Sequence, residues 1–172
     1  VYAGLDPRDS GARAAIRRMI GYLPQDFRPL GELTAREYLA HCAALRAIPL
    51  GRRALRERID LLLEAVGLHE AASRRSGTYS GGMRRRLGIA QALIHSPRLV
   101  VVDEPTAGLD PEERIRFRAV ITEVAEETAV LLSTHIVEDV EATCERIVVV
   151  AGGGVLFDDA PTALMHLALG RL

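Results

Sequence analysis

The stretch at residues 99–110 constrains the fold more than any other part of this chain. It reads LVVVDEPTAGLD, so four apolar residues, three of them β-branched, run directly into Asp103 and Glu104. Such a run predicts a strand that is buried on both faces of a parallel sheet. Because ligands bind at the carboxyl edge of parallel sheets, both carboxylates are expected at the mouth of a site. A turn with proline and glycine follows, and Pro111 suits the first position of a new helix.

An Asp-Glu pair has a second interpretation, since such a pair taken alone more often ends a strand in a turn or caps a helix. Here the apolar run before the pair and the proline-containing turn after it favour a functional site. The rest of the chain has to decide between the two.

Composition limits the class of protein. The 172 residues suffice for one domain with a sizeable core, and 48% hydrophobic with 26% charged residues is typical of a soluble globular chain. The net charge of −1 argues against a general nucleic-acid binder. All 22 basic side chains are arginine. Cys42 and Cys144 form no Cys-x-x-Cys pair, which favours a reduced, cytosolic location, and no apolar run approaches the roughly 20 residues of a membrane helix.

Hydrophobic spacing and helix-breaking residues predict alternating helices and strands. A capping box of Thr34 and Glu37 marks one helix start. Helices are predicted at 12–19, 34–45, 52–66, 83–94, 111–127, 136–144 and 161–169. Strands are predicted at 20–23, 99–102, 129–132, 146–150 and 155–157; the last two form a hairpin, and Val1 and Tyr2 end a further strand. Residues 31–79 then form a small helical insertion.

Three further polar motifs lie beside these elements. Gln25 follows a strand and a proline, a position that by itself indicates only a solvated loop. His135 follows the apolar run at 129–132, although a lone histidine is more often structural than catalytic. Ser80, Gly81 and Gly82 precede a helix, where a hydroxyl and unhindered N–H groups at the positive end of the helix dipole would bind an anion. The alternative for this third motif is an ordinary serine N-cap.

Taken in order, these motifs resemble those of ATP-binding cassette (ABC) ATPases. Gln25 corresponds to the Q-loop, residues 79–83 to the signature motif, 99–104 to the Walker B motif, 105–110 to the D-loop, and His135 to the H-loop. The signature is usually Leu-Ser-Gly-Gly-Gln, and this chain has Tyr79 and Met83 in place of the first and last residues. The segments 34–39 and 80–87 look most like the ATPase subunits of bacterial drug or polysaccharide exporters.

The resemblance implies an α/β fold: a P-loop NTPase-type parallel sheet flanked by helices, with a small helical subdomain. Residues 1–30 would be the end of the N-terminal core and the Q-loop, 31–79 the helical subdomain, and 80–172 the signature helix, Walker B motif, D-loop and H-loop. A P-loop requires lysine, and this chain has none. Because the chain begins in mid-strand, truncation of about 30 residues or more is the expected reason.

The resemblance also implies ATP and Mg²⁺ as cofactors, with a role for each motif. Glu104 would act as general base on the attacking water, and His135 would contact the γ-phosphate. Asp103 and Gln25 would hold Mg²⁺. Ser80, Gly81 and Gly82, within a signature that ends at Met83, would bind ATP held by a second cassette, and Asp110 would communicate across that dimer.

The partners implied are a second ABC cassette and membrane-spanning transporter subunits, with the protein on the cytoplasmic face of the membrane and powering export. No nucleic-acid partner is expected, and this chain is expected to be inactive alone. Two alternatives remain open from the sequence: a cassette ATPase that acts on ribosomes or DNA, and a non-enzymatic remnant that only binds a partner.

Overall fold

The computed structural model describes residues 4–169, and the chain divides into two compact units between residues 133 and 134. The strand predicted at Val1 and Tyr2 lies outside the described residues.

The first unit is built on a three-stranded parallel sheet. Its elements are α1 (Ser10–Met19), β1 (Ile20–Leu23), α2 (Ala35–Leu45), α3 (Arg52–Ala65), a 3₁₀ turn (Ser76–Thr78), α4 (Gly81–Leu93), β2 (Leu99–Asp103), α5 (Pro111–Glu127) and β3 (Ala129–Ser133). The strand order is β1-β2-β3, and Leu23, Val102 and Leu132 lie side by side across the sheet. The predicted α/β fold with a parallel sheet and flanking helices is confirmed.

Local signals explain where the helices begin. The capping box is present at α2: the Thr34 N–H donates to the Glu37 carboxylate at 2.8 Å, and the Glu37 N–H donates to the Thr34 hydroxyl at 3.3 Å. Asp110 caps α5 by accepting from the Glu113 N–H at 2.9 Å, with Pro111 in the first helical position. These side chains satisfy N–H groups that have no partner inside the helix.

The core lies between the sheet and helices α2 to α5. Strands β1 and β2 and helices α2 to α5 each contribute fully buried side chains, among them Leu23, Leu39, Leu63, Leu87, Ile89, Val100, Val102 and Phe117. Gly21 of β1 faces the backbone of α4, and a Cβ there would lie 3.0 Å from the carbonyl carbon of Ala92. Glycine therefore allows α4 to approach the strand closely.

The prediction that β2 is buried on both faces is wrong. Val100 and Val102 are fully buried, whereas the residues that alternate with them, Leu99, Val101 and Asp103, are only half-buried. In the neighbouring strands, Tyr22 is 46% exposed and Leu131 is 56% exposed on the same side as Val101. The physical reason is that the core side chains and α4 cover one face of the sheet. The apolar run at 129–132 also predicts a buried strand, but β3 alternates between half-buried and exposed residues.

The second unit contains a hairpin between two helices. Its elements are α6 (Val137–Thr143), β4 (Ile147–Ala151), β5 (Gly154–Asp159) and α7 (Pro161–Leu169), and β4 pairs with β5 in antiparallel orientation as predicted. The Arg146 guanidinium holds both oxygens of Asp158 at 2.7 and 3.0 Å across the hairpin. None of the helices within residues 4–169 combines the length and apolar character needed to cross a membrane.

Candidate functional site

Polar residues gather where the three parallel strands end. Asp103 is the last residue of β2 and lies beside Ser133, the last residue of β3. Glu104 comes next in the chain, and Gln25 lies two residues beyond Leu23, the end of β1. The structure therefore brings Gln25, Asp103 and Glu104 to the same edge of the sheet. The sequence pattern predicted this edge for Asp103 and Glu104, whereas only the family resemblance placed Gln25 with them.

The backbone at Glu104 has a conformation that no sequence motif indicated. Its φ is +43°, in the left-handed region that L-residues rarely adopt. The Glu104 N–H donates to the Ser133 carbonyl at 2.8 Å, so the bond that ends the sheet also fixes this residue. A left-handed non-glycine residue costs about 1–3 kcal/mol and occurs often at functional sites. The chain changes direction at this residue, directly after the Asp103 carboxylate.

Ser80 is the N-cap of α4, and its hydroxyl oxygen accepts from the Met83 N–H at 3.1 Å. The N-cap alternative is therefore what the structure contains, and it is compatible with anion binding because the serine O–H still has a hydrogen to donate. Ser80 and Gly81 are exposed, whereas Gly82 is buried. The exposed start of a 13-residue helix presents its positive dipole end to solvent.

A cavity of about 600 Å³ opens at this end of α4. It is lined by residues 25–29 after β1, by Ser76 and Gly77, by Gly81, Arg84 and Arg85 of α4, and by residues 107–109 after β2. Arg85 reaches across and donates to the Pro24 carbonyl at 3.2 Å. Burial lowers the pKa of Arg85, which nevertheless stays a cation at neutral pH. Three arginines and one aspartate line the cavity, so its charge favours anions.

The signature segment also contacts the start of α5. A Cβ on Gly81 would lie 3.6 Å from Leu109, and the space beside Gly82 is filled by the side chain of Glu113. Glu113 is paired with Arg86, which is 6% exposed. Residues 80–82 and Asp110 therefore lie at the starts of two helices that are held together.

Sequence reasoning missed Arg85, Arg86 and Glu113 because arginines and glutamates on helices are most often solvated. One signal was present for Arg86: it lies four residues after Gly82 and three before Ile89, in the spacing of the buried face of α4. Tyr79 was noted only as a departure from the usual signature. Its ring is buried and its hydroxyl donates to the Ala71 carbonyl at 2.8 Å, so it anchors the turn before α4.

His135 lies in the second unit, two residues after β3, and its side chain is exposed. The neighbouring Thr134 hydroxyl accepts from the Ile136 N–H at 3.1 Å and so shapes the start of α6. The part assigned to His135 in the site stays a prediction.

Comparison with known proteins agrees with the motif order. Residues 3–107 match the family described as ABC transporter. The chain is 43% identical over 145 residues to the uncharacterized ABC transporter ATP-binding protein YxlF of Bacillus subtilis (strain 168), covering 84% of this chain and 48% of that protein. It is 39% identical over 167 residues to the Nod factor export ATP-binding protein I of Rhizobium sp. (strain N33), covering 93% and 53%. The chain thus spans about half the length of these curated relatives.

A solved structure supports the fold independently. The cbiO1 protein of Clostridium perfringens, part of the ABC transporter complex cbiONQ, superposes with a TM-score of 0.84 at 23% identity. The match covers 92% of this chain and 63% of that one. With the family match over more than half of its length, the chain belongs to the ATP-binding proteins of the ABC transporter family.

Proposed function

We propose that the full-length protein binds and hydrolyses ATP as the nucleotide-binding subunit of an ABC transporter. The observation that carries this proposal is the gathering of Gln25, Asp103 and Glu104 at one edge of the sheet, in a chain of this family. Catalysis at such a site consists of positioning and charge stabilisation rather than covalent chemistry by the protein.

The donor set at the sheet edge fits a magnesium ion. Asp103 supplies carboxylate oxygens and Gln25 an amide oxygen, which are the hard ligands that Mg²⁺ prefers. Mg²⁺ usually retains waters and takes the rest of its ligands from phosphates, so two protein groups suffice. When bound, the ion neutralises charge on the phosphates. Asp103 and Gln25 would hold it and orient it.

Glu104 would be the general base. It follows the proposed magnesium ligand directly in the chain, and its backbone is in the left-handed conformation. A carboxylate there can accept a proton from the attacking water as the water meets the terminal phosphate. His135 would contact the γ-phosphate and help position it.

The start of α4 would bind the γ-phosphate of ATP held by a second cassette. Ser80, Gly81 and Gly82 offer a hydroxyl and backbone N–H groups at a helix N-terminus, and Met83 stands in the place of the usual glutamine. Asp110 at the start of α5 would communicate with the second cassette across the same interface. Dimer closure would then couple binding to hydrolysis.

The names of two relatives support the proposed transport direction. One is named for Nod factor export and another, LnrL of Bacillus subtilis (strain 168), for linearmycin resistance at 34% identity. We assign this protein to export through membrane-spanning subunits, with the cassette at the cytoplasmic face of the membrane. A net charge of −1 gives no support to a cassette acting on ribosomes or DNA.

The test is a comparison of two neighbouring carboxylates in the full-length protein. Glu104→Gln keeps the size of the side chain but cannot take a proton, so hydrolysis should fall by roughly 10²-fold or more while ATP still binds. The trapped nucleotide should then hold two cassettes together in size-exclusion chromatography. Asp103→Asn should instead weaken Mg-ATP binding itself.

Glu57→Gln is the matched control, because Glu57 lies on α3 and forms an exposed ion pair with Arg53. It should hydrolyse ATP at the parental rate. A parental rate in Glu104→Gln would remove the general-base assignment. A parent protein without ATPase activity would remove the proposed function.

A further inference from the structure

A buried ion pair joins α4 to α5 next to the proposed phosphate-binding turn. Arg86 is 6% exposed, the Glu113 side chain is 15% exposed, and the Arg86 guanidinium donates to the Glu113 carboxylate. Buried arginine and glutamate are rare unless paired. This pair links the helix that begins with the signature to the helix that follows the D-loop.

Glu113 contacts four residues at this junction. Its backbone N–H donates to the Asp110 carboxylate at 2.9 Å, and its own carboxylate lies between Arg86 and Arg116, whose Nη1 is 3.8 Å from Oε1. Its side chain occupies the space where a Cβ on Gly82 would be. One residue therefore touches both Gly82 and Asp110, the groups proposed to meet the second cassette.

Because the contact between Arg86 and Glu113 is ionic, its geometry is restricted. A guanidinium and a carboxylate meet in a narrow range of geometries, whereas apolar side chains of similar size pack in several. The pair is shielded from water, so solvent screens it less than it screens a surface pair. The position of the Gly82 backbone relative to Asp110 is consequently set by the Arg86–Glu113 bond.

We propose that Arg86 and Glu113 are positioning residues that hold the phosphate-binding turn at residues 80–82 and Asp110 as one rigid element. This inference rests on the function proposed above. When two cassettes close on ATP, both groups must reach the partner together. Loosening the pair should impair closure and hydrolysis while leaving ATP bound to each cassette, because the pair touches none of Gln25, Asp103 and Glu104 in the contacts described.

The decisive variant is the double replacement Arg86→Met with Glu113→Leu in the full-length protein. Exchanging a buried ion pair for apolar residues of similar volume often leaves stability unchanged or raises it. Folding should therefore be preserved, and Tm should stay near the parental value. We expect kcat for ATP hydrolysis to fall at least about tenfold with little change in KM. In the Glu104→Gln background, the ATP concentration for half-maximal dimer formation should rise by a similar factor.

Arg53→Met with Glu57→Leu is the matched control, since it makes the same chemical change at an exposed ion pair of α3. It should behave as the parent in all three measurements. Glu113→Asp provides a second variant if the double replacement lowers Tm. It keeps the charge and withdraws the carboxylate by one methylene from both Arg86 and Gly82, so kcat should again fall more than KM changes.

Parental kcat and parental dimer formation in a folded double variant, or in Glu113→Asp, would overturn the inference and leave the proposed function standing. A parent that neither hydrolyses ATP nor dimerises with it would overturn the proposed function and this inference with it. A rise in KM with unchanged kcat would also contradict the positioning role, because it would place the pair in ATP binding.

Discussion

The Glu104→Gly variant should be more stable than the Glu104→Ala variant, which is the reverse of the usual order for these two residues. Its φ of +43° lies in the left-handed region, where the Cβ of an L-residue meets the following carbonyl oxygen. Glycine has no Cβ and adopts this conformation freely. The proposed catalytic group therefore occupies a position where its own backbone is strained.

The magnitude follows from two opposing contributions. A left-handed conformation costs an L-residue about 1–2 kcal/mol. Glycine avoids that cost but loses about 0.5–1 kcal/mol through the greater freedom of its unfolded chain. Taking the middle of each range, Glu104→Gly should exceed Glu104→Ala in unfolding free energy by about 0.75 kcal/mol. Because both variants remove the glutamate side chain, its contacts cancel in the comparison.

The assay is thermal unfolding of purified Glu104→Gly and Glu104→Ala by calorimetry. In a domain of 150–250 residues the difference corresponds to a Tm shift of roughly 1–4 °C. Ala54 supplies the control, because it is exposed within α3 and has helical geometry. There Ala54→Gly should lower stability by about 1 kcal/mol, so the same chemical exchange should have opposite signs at the two positions.

An alanine variant at position 104 that is as stable as the glycine variant, with Ala54→Gly behaving as expected, would refute the strain argument. Both variants at 104 should lack ATPase activity if Glu104 is the general base. A Glu104→Gly variant more stable than Glu104→Ala would then show that the glutamate is retained at a strained backbone position for its function.

Three further outcomes are expected. Gly21→Ala should lower the free energy of unfolding by about 1–3 kcal/mol in denaturant titrations, since the new Cβ would collide with the backbone of Ala92; an unchanged midpoint would contradict that packing. Tyr79→Phe should cost about 1–2 kcal/mol, because it leaves the Ala71 carbonyl without the hydroxyl that donates to it, and a smaller loss in the same assay would argue against this anchor. Burial, and then the nearby Arg46 and Arg58 charges, lowers the pKa of His95 below its usual 6.5. The unfolded chain therefore binds the proton more readily, and the stability of the fold should decrease as pH drops through 6.5. His95→Gln should flatten that part of the Tm-against-pH curve, and an unchanged slope would refute the assignment.

Local chemistry was sufficient to predict most of the elements. The helix at 111–127 and the strand at 20–23 have the predicted bounds. A capping aspartate and a proline begin the helix, and a proline follows the strand. The capping box at Thr34 is present for the same reason. Signals of this kind act within three or four residues, so the sequence contains all the atoms that decide them. The position of Asp103 and Glu104 at the carboxyl end of a parallel strand was predictable too, whereas Gln25 was assigned to the site only from the family resemblance.

Contacts between distant parts of the chain decided the rest. The apolar run at 99–102 does not reveal which of its faces is covered, because that depends on helices α2 to α5, which extend from residue 35 to residue 127. The left-handed backbone of Glu104 depends on a hydrogen bond to Ser133. The burial of Arg86 depends on its ion pair with Glu113, which lies in another helix. Each of these features needs a partner that only folding brings within reach, so the motifs of the site could be predicted from the sequence while the forces that hold them in position could not.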